Sequence, residues 1–350
     1  SLIGKEENIL LKPNLVRSAK RERAVVTDPE VMDALITILQ ENGYENISCG
    51  DSCGLGTPEG IAKEAGLKEV LEKHNVPLKD FLTSERVETA DGKFLMIAKD
   101  ALDCDALISV SKMKTHALER ITGAVKNLYG CITGVNKAAG HAAYPDSWVF
   151  ADMLTDLHRC VRPRLHIMDG IIAMEGNGPT SGTPIAMNVL LFSADPVALD
   201  TVYAALIHLD PATVPTCVRG AKGGIGVMDE GLIDVLTPDG ALTVSQAREK
   251  YGNAQFDVFR GTMKKGLLPK LMPLLPFLQH RPKVDLKKCI GCGVCQEACP
   301  VPEKAVHSGH GKKAKYDYKK CIRCYCCQEM CPAKAISVYR SPLNKLLGGK

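Results

Sequence analysis

"DALISVSKMKTH", residues 105 to 116, begins as an apolar run and ends in two lysines and a histidine. Ala106 to Val110 reads as a short strand buried on both faces, the kind found in parallel sheets. The same pattern recurs along the chain. "ENILLKPNLV" (7–16) reads as a strand ending at Lys12, and "NISC" (46–49), "RLHIMDGII" (164–172) and "AMNVLLFSA" (186–194) read as further strands. Helical signals lie between them. "TDPEVMDALITILQENGY" (27–44) offers an N-cap at Thr27 or Asp28, a proline in the first turn, an apolar stripe of Val31, Leu35, Ile38 and Leu39, and Gly43 as a stop. "RITGAVKNLYG" (120–130) is expected to be a helix, as is "DPVALDTVYAALIHL" (195–209) with Asp195 as its cap. Strands alternating with helices predict a large α/β domain with a mixed or parallel sheet.

Such sheets bind ligands at the carboxyl ends of their strands. That rule picks out Lys12 with Asn14, Asp51 with Ser52, Lys112 with Lys114 and His116, and Asp169. Lysines at strand ends, followed by "TGAVKN" as a helix start whose N-terminus favours anions, predict a phosphate or carboxylate pocket. Its expected contacts are Lys12, Asn14, Lys112, Lys114, Lys126 and Asn127. His116 is the candidate proton donor, with Asp51, Asp169 or Glu175 orienting groups. "GDSCG" (50–54) matches the nucleophile elbow, but a helix does not follow at once, so a strand-to-loop turn is the better reading of Ser52. "EGNGPTSG" (175–182) is one residue too long for the dinucleotide fingerprint and precedes a strand, so it reads as a ligand-covering loop carrying Glu175. His141, in "AAGHAAYPDSW", and the scattered Cys49, Cys53, Cys104, Cys131, Cys160 and Cys217 read as structural.

The carboxy-terminal end is different in kind. "CIGCGVCQEACP" (289–300) and "CIRCYCCQEMCP" (321–332) each spell C-x2-C-x2-C-x3-C-P, an internal repeat. Three closely spaced thiolates hold one cubane while the cysteine before the proline reaches the other. The spacing therefore predicts two [4Fe-4S] clusters: one on Cys289, Cys292, Cys295 and Cys331, the second on Cys321, Cys324, Cys327 and Cys299, with Cys326 left over. Zinc also binds C-x2-C pairs but has no use for two complete C-x3-C-P copies. The expected module is a small α+β, two-cluster ferredoxin-like domain over 285–350, joined to the α/β domain (1–261) by a proline-broken linker (262–284).

Charge follows the same division. From residue 281 onward there are 15 Lys and Arg against 5 Asp and Glu, whereas residues 1–280 hold 29 against 35. Lys287, Lys288, Lys312, Lys313, Lys315, Lys319 and Lys320 flank the cysteines and offset negative clusters. With only Tyr316 and Tyr318 for base stacking, nucleic-acid binding is the weaker account of that charge. The longest apolar stretch, "GLLPKLMPLLPFL" (266–278), is broken by prolines, so no membrane span is expected. "SLIGKEEN" has no signal-peptide core, and eight of 15 cysteines have metal-ligating spacing, which points to a reducing cytoplasm. The start lacks a methionine and opens almost inside a strand, leaving room for an upstream segment.

"LLKPNLV", "TDPEVMDALI", "GDSCG", "ISVSKMKTH", "TGAVKNLYG", "MDGIIAMEGNGPTSG" and "SADPVALD" together resemble the prokaryotic iron-sulfur family catalogued as domain of unknown function 362. The resemblance spans most of residues 8–230. It implies an iron-sulfur protein and no particular reaction. The layout is also faintly similar to nickel-dependent lactate racemases, whose cofactor-carrying residues map to no positions here.

The expected function is electron transfer to or from an anionic substrate on the large domain, as in a ferredoxin-type oxidoreductase. Without a nicotinamide or flavin fingerprint, the electrons come through a redox partner protein, expected to be acidic. The alternatives are an electron carrier or cofactor-assembly scaffold without its own turnover, and a hydrolase using Ser52 with structural clusters.

Overall fold

The computed structural model describes residues 2–89, 91–134, 136–261 and 280–340. Strands β1 (Ile9–Lys12), β2 (Ile47–Gly50) and β3 (Leu78–Lys79) run parallel, while β4 (Ser84–Glu88) and β5 (Phe94–Ala98) form a separate hairpin. β6 (Ala106–His116) pairs parallel with β1 on one side and with β8 (Leu165–Glu175) on the other. β7 (Arg120–Thr122) folds back antiparallel on the end of β6, and β9 (Thr183–Ser193) closes the sheet antiparallel to β8. The order is β3-β2-β1-β6-β8-β9, a mixed and mostly parallel sheet. Parallel neighbours need crossovers, supplied by helices Pro29–Glu41, Pro58–Ala65 and Ser147–Val161.

Strict alternation divides the strands between two cores. Ile9, Leu11, Ala106, Ile108 and Val110 pack with Met32 and Ile36 of helix Pro29–Glu41, whereas Leu10 and Leu107 pack on the other face with Phe150, Leu154 and Leu157. The helices start where side chains cap them: the Asp28 carboxylate accepts from Glu30 N at 3.0 Å, and Asp195 accepts from Val197 N and Ala198 N at 2.8 Å. Ile38, expected in the buried stripe, is 57% exposed; the buried face runs through Val31, Met32 and Ile36 instead.

Two expectations need correction. β6 does not end before its lysines: it runs unbroken to His116 with all eleven residues buried. The stretch 120–130 is not one helix; β7 occupies its start, the helix is confined to Ala124–Asn127, and a 3-10 turn follows at Leu128–Cys131. Gly123, at this break, makes room for Asp200, since a Cβ there would lie 2.0 Å from Asp200 Oδ1.

Beyond a small hairpin of β10 (Asp234–Thr237) and β11 (Gly240–Thr243), the chain ends in two more antiparallel pairs. β12 (Arg281–Val284) pairs with β15 (Ile336–Tyr339), and β13 (Val306–Gly309) with β14 (Lys312–Tyr316). β12 therefore belongs to the cysteine-rich module, which corrects the expected end of the linker; residues 262–279 of that linker lie outside the described residues. Short helices Val294–Glu297 and Cys326–Glu329 carry the two cysteine runs.

The cysteine-rich module is docked on the loop expected to cover a ligand. Gln328 Nε2 donates to Asn177 O and Gly178 O, both at 3.0 Å; Thr180 Oγ donates to Glu329 O at 2.6 Å, and Asn177 Nδ2 to Ile336 O at 3.0 Å. "EGNGPTSG" is thus a docking strip.

Candidate functional site

The cysteines stand around two cavities. Cys289, Cys292, Cys295 and Cys331 line one with Ser308, Ala314 and Ala335, and Cys299, Cys321, Cys324 and Cys327 line the other with Ala305, Tyr316 and Tyr325. The last cysteine of each run lines the other run's cavity. Each cavity also offers donors to sulfur. Ala314 N points to Cys289 Sγ (3.4 Å), Ala335 N to Cys331 Sγ (3.3 Å), Ala305 N to Cys299 Sγ (3.3 Å) and the Tyr316 hydroxyl to Cys327 Sγ (3.3 Å). Four thiols with N–H and O–H donors aimed at them suit thiolates, whose charge those donors stabilise.

At the carboxyl edge of the sheet, the buried lysines fall into two groups. Lys12 Nζ sits 2.8 Å from Asp51 Oδ1, and the other Asp51 oxygen accepts from Leu15 N at 2.6 Å. Gly130 makes room for this pair, because a Cβ there would lie 1.9 Å from Asp51 Oδ1. Lys112 Nζ sits 2.7 Å from Asp169 Oδ2, directly across from it in the β6–β8 register, and Asp28 N donates to the same oxygen at 2.9 Å. Those two pairs are charge-balanced.

Lys114 and Lys126 are not. Lys114 Nζ donates to Asn14 Oδ1 (2.7 Å) and Val25 O (2.6 Å), both neutral, and Asn14 is held by Asn127 Oδ1 at 2.9 Å. Lys126 has no hydrogen bond or ion pair among the described residues; its ammonium lies over the rings of Tyr129 and Phe150 at 5.8 and 6.0 Å. Burial and the neighbouring Lys126 push Lys114 down to about 7. Lys137, from helix Asn136–Ala143, donates among the described residues only to the carbonyl of Ser52, and burial pushes it down to about 8.

These three lysines line one cavity of about 470 Å³. Its large-domain wall also carries Asn14, Asp51, Asn127, Tyr129 and His141, and its opposite wall comes from the cysteine-rich module: Val294, Glu297, Ala298, Cys326, Glu329 and Met330. The volume falls in the range of small-molecule sites. His141, stacked on Phe150 with centroids 4.6 Å apart, has a buried Nδ1 without a hydrogen-bond partner among the described residues, and burial holds the ring down to about 3, so it is neutral.

Of the residues singled out from sequence, Asn14, Asp51, Lys114, Lys126 and Asn127 meet at this cavity, and Lys12 reaches it through Asp51. Lys112 and Asp169 do not line it; they are locked to each other. Glu175 is turned away and accepts from Asp257 N at 2.7 Å. His116 stands behind Glu329: its Nδ1 accepts from Leu118 N and Glu119 N, both at 3.1 Å, which leaves the proton on Nε2, 2.8 Å from Glu329 Oε1. Burial pushes His116 down to about 4, so the pair is a neutral imidazole against a carboxylate.

The helix N-terminus expected to bind the ligand is taken by the protein itself, since Asp200 accepts from Ala124 N (2.6 Å) and Val125 N (3.1 Å). Ser52 Oγ accepts from Gly134 N at 3.2 Å, and among the described residues no histidine is hydrogen-bonded to it. Sequence reasoning passed over Lys137, read His141 as structural and did not assign Glu329 to the site. The first two sit four residues apart on one helix, a spacing that places both on one face.

The family model described as domain of unknown function 362 matches residues 9–205, and a 4Fe-4S dicluster domain matches residues 281–332. A thylakoid-associated protein from Synechocystis sp. is 37% identical over 221 residues, 63% of this chain and 68% of that protein. Among solved structures, the lactate racemase apoprotein from Thermoanaerobacterium thermosaccharolyticum aligns at 13% identity and a TM-score of 0.40, over 54% of this chain and 46% of that one. A Thermotoga maritima protein aligns with the same identity and TM-score over 63% and 55%. This chain thus spans about half the length of each of those two structures. Among the described residues, no helix is long and apolar enough to cross a membrane. With its large α/β domain matched over 197 residues and a 4Fe-4S module behind it, the chain is an iron-sulfur protein and belongs to the family named domain of unknown function 362.

Proposed function

We propose that the protein is a ferredoxin-type oxidoreductase that exchanges single electrons with a small organic anion held between its two modules. The observation that carries this reading is the shared cavity, with Lys114, Lys126 and Lys137 on one wall and the Cys326–Met330 segment on the other. Two [4Fe-4S] clusters, on Cys289, Cys292, Cys295 and Cys331 and on Cys299, Cys321, Cys324 and Cys327, would supply one-electron chemistry when bound. The chain's own residues do the rest. Lys126 and Lys137 offset negative charge on the ligand, more strongly than in water because the surrounding protein screens charge less. Asn14 and Asn127 fix the Lys114 ammonium, which holds a proton at Nζ once an anion arrives. Electrons enter from a separate acidic protein. Fifteen cysteines without a disulfide among the described residues support a reducing compartment, the cytoplasm.

An EPR-monitored redox titration of anaerobically purified protein, with and without phosphate, oxalate and succinate as probes, tests the reading. A bound anion should move the potential of the Cys299/Cys321/Cys324/Cys327 site to a more negative value and leave the other unmoved, and Lys126→Met should abolish the shift. Potentials that no probe moves, or that move equally at both sites, would overturn it.

A further inference from the structure

A second cavity, of about 360 Å³, opens beside the first: Arg17, Thr180 and Cys331 of its lining directly follow Val16, Pro179 and Met330 of the first. Its walls hold four cations, Arg17, Lys20, Arg23 and Lys334, against two carboxylates, Glu22 and Glu64. Arg23 Nη2 donates to Thr180 O at 3.1 Å, while Arg17, Lys20 and Lys334 have no ion pair among the described residues. Two further lining residues are Cys331 and Pro332, so this cavity touches the first cysteine quartet, as the lysine-lined cavity touches the segment that carries the second.

The two openings differ in kind. In the first, Lys114 and Lys126 are buried and Lys137 is half-buried. In the second, Lys20, Lys334, Glu22, Glu64 and Pro332 are exposed and Arg17 and Arg23 half-buried, so four cations against two carboxylates leave a net positive rim facing solvent beside a thiol of the first quartet. A rim of exposed cations suits the acidic face of a protein, where charge complementarity speeds and orients encounter. We propose that this rim is the docking port for an acidic electron-transfer protein, which exchanges electrons at the Cys331 side while the small anion is served at the Cys326 side. The inference rests on the reading of the first cavity as a redox ligand site. In the direction of reduction the partner loses one electron and the Cys289/Cys292/Cys295/Cys331 site gains it; no bond is made or broken.

The test uses the anaerobic holoprotein and a small, strongly acidic [2Fe-2S] ferredoxin as probe. Calorimetry should find a complex that weakens as salt rises, and Lys20→Glu/Lys334→Glu should weaken it about tenfold or more. Stopped-flow reduction by that ferredoxin should slow to match, while reduction by the methyl viologen radical cation, which needs no basic rim, should not slow. The anion-induced potential shift at the second quartet should survive in the same variant. The absence of a salt-sensitive complex, equal binding by the variant, or equal slowing with both reductants would overturn the docking port. Loss of the anion-induced shift in wild-type protein with the complex intact would instead overturn the ligand site.

Discussion

Lys12 and Lys112 are buried beside Asp51 and Asp169 at 2.8 and 2.7 Å, whereas Lys114 and Lys126, next to them in the fold, have no ion pair among the described residues and share their cavity with the Glu329 carboxylate. All four sit at the carboxyl edge of one sheet and read alike in sequence. A buried lysine with its own carboxylate is part of the scaffold: its charge is already answered, and the pair closes β6 onto β8 or β1 onto the loop after β2. A buried lysine answered only by amides and rings leaves positive charge facing a space. Removing one member of a balanced pair is costly, while removing an unpaired charge that makes no hydrogen bond, as at Lys126, harms only the ligand-bound protein.

The largest effect should therefore come from the scaffold. Lys112→Met leaves Asp169 buried and charged and should cost about 3–5 kcal/mol in denaturant unfolding, and Lys112→Met/Asp169→Leu should recover much of the loss. Equal stability of single and double variants would break the contrast.

Lys126→Met should behave in the opposite way. With no hydrogen bond to lose, it should leave the unfolding midpoint within the ordinary range for harmless substitutions, yet weaken binding of an anionic probe. One charge-assisted contact is worth about 1.5–3 kcal/mol, roughly ten- to a hundredfold in affinity. Lys114→Met sharpens the point, because it also strands Asn14 Oδ1 and Val25 O and should lose both stability and affinity.

A smaller effect is the pH dependence. Lys114 is held down to about 7 in the fold, against 10.5 for an unperturbed lysine. Between those values the unfolded chain binds more protons, so Lys114 makes stability rise with pH across that window. An anion favours the protonated form, so affinity should fall as pH rises through about 7, by at most roughly tenfold per unit for one proton. Calorimetry in buffers of different ionisation enthalpy should show proton uptake on binding above that pH. The smallest effect belongs to Cys326→Ala, which should leave the iron content unchanged, whereas Cys299→Ala should lose the site shared with Cys321, Cys324 and Cys327.

The fold was legible where one rule governs many residues. Alternation in "ILLK" and "ALISV" and the caps at Asp28 and Asp195 give the sheet and its helices, and C-x3-C-P gives the crossed cysteine quartets. The site was legible only in outline. Strand ends placed the lysines on one edge, but partners distinguish them, and partners are tertiary: nothing in "SKMKTH" says that Lys112 meets Asp169 while Lys114 meets Asn14. Propensity misread β6, where buried pairing carries a strand through charged residues that would ordinarily end it. Glu329 and Met330 could not be assigned to the site before the docking of the second module was known, because that docking depends on Gln328 and the Asn177–Thr180 strip.

The central claim is that the cavity between the modules holds an anion against Lys126. Anomalous diffraction from crystals soaked in iodide tests it directly. An iodide peak in the cavity within contact of Lys126 Nζ, absent in Lys126→Met, is the predicted result. Iodide at exposed lysines with none in the cavity would contradict the account.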